Sequence, residues 1–167
     1  KKKKLNLLDT PGFNLFMYDT KTSMAATDAA MIVVDGVSGV EVMTERVWQY
    51  AEEFNQPRAF FINKLDRETR DPVELLDEVE TVLNIQCAPV TWPLGMGKTF
   101  RGVYHLLRDE ILLFTPGEER ADGDVEVIKG IDNPELARRF PLEIEQLKME
   151  VELVHGASHP FDLQAFL

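Results

Sequence analysis

Apolar residues in this chain follow two rhythms. Short unbroken runs at 5–8, 29–34 and 59–62 alternate with stretches in which apolar positions recur every three or four residues. The runs predict strands. The one at 29–34 is rich in β-branched residues, closes at Asp35-Gly36 and predicts a buried strand. Between the first two, Pro11 and Gly12 break regular structure at 10–13, and 18–27 reads as a helix. Residues 42–54 give the clearest helical period, with Val47, Tyr50, Ala51 and Phe54 on one face, and Pro57 ends that connection. Asp71-Pro72 opens another helix, Asp71 as its N-cap and Pro72 in its first turn. It runs to about residue 83 with Val73, Leu76, Val79 and Leu83 inward. Alternating strands and helices predict a parallel, doubly wound α/β sheet.

The pattern changes near Cys87. Residues 88–93 are extended, with prolines that suit a sheet edge. Residues 104–114 and 125–131 read as strands of a separate small sheet, joined by a polar loop at 116–124. Asn133 caps a long helix, interrupted near Pro141 and ending before Gly156. We place a boundary at 86–88. This gives an α/β region at 1–86 and a smaller α+β region at 87–167.

Two strings carry the chemistry. Asp9-Thr10-Pro11-Gly12 follows the first predicted strand, and Asn63-Lys64-Leu65-Asp66 follows the third. Each is thus expected at the C-terminal end of a parallel strand, where open α/β sheets bind ligands. Asp9 there can hold magnesium through water, and Gly12 lets a backbone N–H approach a γ-phosphate. In the second string the Asp66 carboxylate can accept from two donors on a guanine edge. Asn63 contacts the neighbouring edge, and the Lys64 stem lies along ring and ribose. Alone, each string is equally well a turn: Asp-x-Pro-Gly is common turn chemistry, and Asn63-Lys64 suits a strand end. Paired in this order after two strands, they indicate a GTP-binding domain.

A phosphate loop of the form Gly-x-x-x-x-Gly-Lys-Ser/Thr should precede Asp9. The chain starts at Lys1, and its one Gly-Lys pair, Gly97-Lys98, falls after the guanine string with the wrong glycine spacing. Gly97-Lys98 therefore reads as a turn, and the sequence as an internal part, or a damaged copy, of such a domain. A net charge of −11 argues against free-standing nucleic-acid binding, which depends on Lys and Arg. A single cysteine, Cys87, forms no intrachain disulfide and fits the cytoplasm. No apolar stretch approaches a membrane span. Trp48 and Trp92 are expected in the core or an interface. Glu118-Glu119 and the glutamates at 143–152 read as solvated faces rather than metal ligands.

With these residues in view, the chain resembles the translational GTPases. The stretches at 70–80, 87–95, 98–106, 127–136 and 152–167 are similar to the release factor 3 branch of that family. Residues 37–67 are similar to the elongation factor G branch. The resemblance implies a P-loop GTPase fold, with GTP or GDP and Mg2+ as ligands of the whole protein, bound weakly or not at all by this stretch alone, and the ribosome as partner. Asp9 would be the magnesium-side carboxylate, through water, and Gly12 the γ-phosphate sensor. Asn63, Lys64 and Asp66 would read the base. The family places a histidine directly after the Asp-Thr-Pro-Gly string to position the attacking water. Here that position is Phe13, which cannot hold or donate a proton, so no catalytic residue is assigned. His105, His155 and His159 read as loop or surface residues.

The resemblance further implies that residues 1–86 are a partial G domain, with the first strand, first helix, switch I and the last strand with its base-contacting loop outside the chain, and that residues 87–167 are most of an insertion into it. The expected function is GTP-dependent work in translation termination. Translocation of the elongation factor G type is the alternative, as is a non-hydrolysing protein that acts by docking. With the intervening strand absent, the strands ending at Asp9 and Asp35 are expected to pair directly or to drive self-association through their edges.

Overall fold

The structure, a computed structural model, describes residues 3–114, 125–158 and 161. Its elements build two sheets. The first contains β1 (Ala30–Asp35) and β2 (Arg58–Asn63), paired in parallel from Ala30 opposite Arg58 to Asp35 opposite Asn63. This register brings the two strand ends level and sets Asp35 beside Asn63. Helix α1 (Met17–Met24) precedes β1, α2 (Val42–Glu53) connects the strands, and α3 (Pro72–Leu83) follows β2.

Sequence period and capping explain these helices. Glu41 and Thr44 close a reciprocal cap at the start of α2. The Asp71 carboxylate accepts from Val73 N–H at 2.7 Å, with Pro72 in the first turn of α3. Asn84 ends that helix in the left-handed conformation. Helix α2 buries Trp48 and Ala51, and Trp48 stacks on Phe60 with ring centroids 5.3 Å apart. Phe54, expected inward, is half-exposed, and Trp48 takes the central place. On α3, Leu75 joins Val79 as a fully buried residue, a position the expected inward face omitted.

Other expectations need correction. Residues 5–8 form no strand. Leu5, Leu7 and Leu8 are exposed and have no ladder partner, so their backbone groups are left to solvent. Asp9 is therefore not at a strand end, and direct pairing with β1 does not occur, since β1 pairs with β2 alone among the described residues. The run at 29–34 is buried on one face only: Ile32 and Val34 face the core, while Met31 and Val33 are 68% and 57% exposed. Residues 104–114 are not one strand. They hold the end of β4 (Gly102–His105), a turn, and β5 (Glu110–Phe114). Asp109 reverses the chain there with φ +50°, and its carboxylate accepts from Tyr104 O–H at 3.0 Å and Ile131 N–H at 2.9 Å.

The second sheet is antiparallel, in the order β3 (Thr91–Leu94), β4, β5, β6 (Val125–Lys129). The expected loop at 116–124 lies outside the described residues. Helices α4 (Pro134–Arg139) and α5 (Pro141–Ala157) follow, divided at Pro141 as its missing N–H requires, and α5 runs through Gly156 rather than stopping before it. The Asn133 side chain accepts from Glu135 N–H at 3.0 Å at the start of α4. One contiguous core joins this sheet to its helices. Leu94, Ile111, Leu136 and Leu147 are fully buried within it, and Val73 and Leu76 of α3 pack against it. Trp92 is in the same core, its indole N–H donating to Glu150 at 2.7 Å. Both tryptophans are core residues, as expected.

Candidate functional site

The parallel register sets the geometry of the candidate site. Asp35 and Asn63 end neighbouring strands, and the chain turns out of each at the same edge. Gly36 N–H donates to the Asn63 carbonyl at 2.9 Å, and Arg70 N–H donates to the Gly36 carbonyl at 3.2 Å. A side chain at Gly36 would put its Cβ 2.9 Å from the Asn63 carbonyl and 3.0 Å from Thr69 Cγ2. That approach is why glycine stands there. The two loops are thus stitched together by backbone.

The loop at 63–66 has defined local structure. Lys64 adopts φ +64°, an uncommon conformation for a residue with a side chain. The Asn63 side-chain carbonyl accepts from Lys64 N–H at 2.9 Å, and Arg67 N–H closes a turn on the Lys64 carbonyl at 3.0 Å. The Lys64 ammonium pairs with the Asp35 carboxylate. The other Asp35 oxygen accepts from Val37 N–H at 2.8 Å. The Lys64 hydrogen bond, followed by that from Val37, holds the Asp35 carboxyl below the usual carboxylate range. The Asp66 side chain is exposed. Asn63, Lys64 and Asp66 therefore come together as one loop at the C-terminal end of a parallel strand.

From sequence, Asp35 reads only as the end of a strand. Its partnership with Lys64, 29 positions along the chain, needs the in-register parallel pairing of two strands, which local patterning does not reveal. Its one signal is an acidic residue closing an apolar run, one strand before the Asn-Lys-x-Asp string.

Asp9, Gly12 and Phe13 lie elsewhere. They sit on an exposed, irregular segment leading into α1, and Phe13 is 77% exposed. Thr20 on α1 donates to the Pro11 carbonyl at 3.0 Å, which tethers the turn. A Cβ at Gly12 would meet nothing within 4 Å, so protein packing does not require glycine there. Among the described residues no hydrogen bond or ion pair joins this segment to 63–66, and none groups three metal-ligating side chains. His155 is an exposed residue of α5, His105 ends β4, and His159 lies outside the described residues.

Comparison with known proteins identifies the family to which the fold belongs. The chain matches the Elongation factor Tu GTP binding domain over residues 1–159. It is 54% identical over 163 residues to peptide chain release factor 3 of Aromatoleum aromaticum. That match takes in 98% of this chain and 30% of the relative, so the chain spans under a third of that protein's length. A crystal structure of a Thermus thermophilus protein superposes with a TM-score of 0.63 at 27% identity, over 83% of this chain and 19% of that one. The α/β architecture of the first region is thus that of a P-loop GTPase domain, with an antiparallel part following it. Among the described residues no helix is long and apolar enough to cross a membrane.

Proposed function

The chain belongs to the Elongation factor Tu GTP binding domain family, and from that premise we propose that it is the base-reading part of a translational GTPase of the release factor 3 type. The observation that carries this reading is the loop at 63–66, ordered at the C-terminal end of β2 and stitched to the end of β1. Asp66 would accept from the N1–H and exocyclic amine of guanine, and Asn63 would meet the neighbouring edge. Lys64 would lie along ring and ribose, restrained beforehand by Asp35. Similarity to a peptide chain release factor supports termination over translocation. GTP, GDP and Mg2+ as ligands, the ribosome as partner and the cytoplasm as compartment follow from the family. The edge of β1 that no strand covers among the described residues supports the further expectation of self-association.

Phe13 favours a second reading, a protein that engages its partners without hydrolysis. Its ring has no polar atom to orient a water molecule. The test is a chimera in which this chain replaces the matched segment of the Aromatoleum relative. The chimera is expected to bind fluorescent GTP, with GDP competing and ADP not, and Asp66→Ala should abolish binding. Competition by ADP would overturn the guanine reading. Phe13→His should raise turnover about a hundredfold or more, the usual worth of a positioned acid–base group. An unchanged turnover would remove position 13 from hydrolysis and with it the observation that favours the docking reading.

A further inference from the structure

The loop at 63–66 is held on a second side, by the antiparallel region. Gly97 N–H donates to the Leu65 carbonyl at 2.8 Å. The Leu65 carbonyl and the Asp66 N–H belong to one planar peptide unit. Fixing that carbonyl fixes the plane from which the Asp66 side chain departs. A second contact lies beside it, where the Thr69 hydroxyl meets Met96 Sδ at 3.5 Å.

The turn that makes these contacts is itself rigidly held. Thr99 Oγ1 donates to the Met96 carbonyl at 2.8 Å, and Phe100 N–H donates to the Gly97 carbonyl at 3.1 Å. Arg101 N–H donates to the carbonyl of fully buried Leu94 at 2.9 Å, which ties the turn to the core of the second sheet. Gly97 has φ +55°, and a Cβ there would lie 3.3 Å from the Arg67 carbonyl. Glycine permits both the conformation and the approach.

We propose that the turn at 95–99 is a positioning element for the base-reading loop, with Gly97 setting the Leu65–Asp66 peptide and hence the aim of the Asp66 carboxylate. The proposal rests on the reading of that loop as a guanine site. It makes the antiparallel region a structural neighbour of the base. By linkage, whatever orders the loop also orders the turn.

The test is peptide-level amide hydrogen exchange on the full chain, comparing wild type with Gly97→Ala. A left-handed alanine crowding a carbonyl should speed exchange across 65–69 by about five- to thirtyfold. Exchange in β4 and β5 should stay as in wild type, which reports that the second sheet is folded. Thr69→Val, which removes only the hydroxyl contact to Met96, should give a smaller acceleration in the same peptide. Gly156→Ala, where a Cβ meets nothing within 4 Å, should give none. Unchanged exchange at 65–69 in both Gly97→Ala and Thr69→Val overturns the proposal. Failure of the guanine reading shows differently: ADP then competes in the nucleotide chimera, while exchange at 65–69 still answers to Gly97→Ala.

Discussion

The two sheets of this molecule are each covered on one face, yet one-sided burial means different things in them. In the antiparallel sheet the open face carries His105, Glu110 and Lys129 among its apolar residues, and the other face closes on α4 and α5. Antiparallel sheets tolerate such an arrangement. The open face of the parallel pair instead presents Met31, Val33 and Phe61, all more than half exposed. Parallel strands are ordinarily covered on both sides. The antiparallel region therefore builds the larger core, to which α3 adds Val73 and Leu76, whereas the parallel pair holds the candidate site on a sheet with one exposed apolar face. The site's rigidity comes from stitching between loops, through Gly36 and Gly97, more than from burial.

Truncation of core residues should separate the regions most strongly. Leu147 is 1% exposed at the centre of the second core. Leu147→Ala is expected to cost about 2–5 kcal/mol in urea unfolding, from lost transfer energy and the cavity left behind. Met31→Ala, on the open face of the parallel pair, should stay within about 0.5 kcal/mol. A large loss at Met31 would show that its face is covered in solution, as the faces of parallel sheets ordinarily are.

How far the sequence disclosed this arrangement follows the same division. Runs and periods locate β1, β2, α2 and α3 because each carries its signal locally, as with the Asp71 cap and the Pro72 start. The Asn63-Lys64-Leu65-Asp66 loop is legible because its chemistry is contiguous. Residues 5–8 mislead because an apolar run states only a preference for burial, and burial needs a partner that local sequence does not supply. The turn inside 104–114 escapes notice because Asp109 makes it without glycine or proline. The support from Asp35 and Gly97 is invisible for a related reason. Both act through tertiary contacts, across 29 and 32 positions of chain respectively.

The pH response should divide the regions more gently, and the chain's two tryptophans report on each separately. Trp48 packs on β2 through Phe60, and Trp92 sits in the second core. In the first region the Asp35 carboxyl is held below its ordinary 3.8, chiefly by the Lys64 hydrogen bond. A carboxylate with a lowered folded pKa contributes stability above its unfolded value and loses it as pH falls through the folded one. In the second region the signs reverse. Burial, with the Asp109 hydrogen bond next, pushes the Tyr104 hydroxyl from 10.0 up to about 12. Burial also pushes the Cys87 thiol, just before β3, from 9.0 up to about 11. Such groups contribute fully below their unfolded values and lose that contribution as pH rises through 9 to 12. Fluorescence of a Trp92→Phe chain, which reads Trp48, should therefore show an acid limb below about pH 4. Asp35→Asn should flatten that limb. A Trp48→Phe chain, which reads Trp92, should show an alkaline limb instead, and Tyr104→Phe should displace it to higher pH. If both reporters lose signal together at both extremes, the two regions unfold as one cooperative unit, and the contact through Gly97 joins them more tightly than their separate cores suggest.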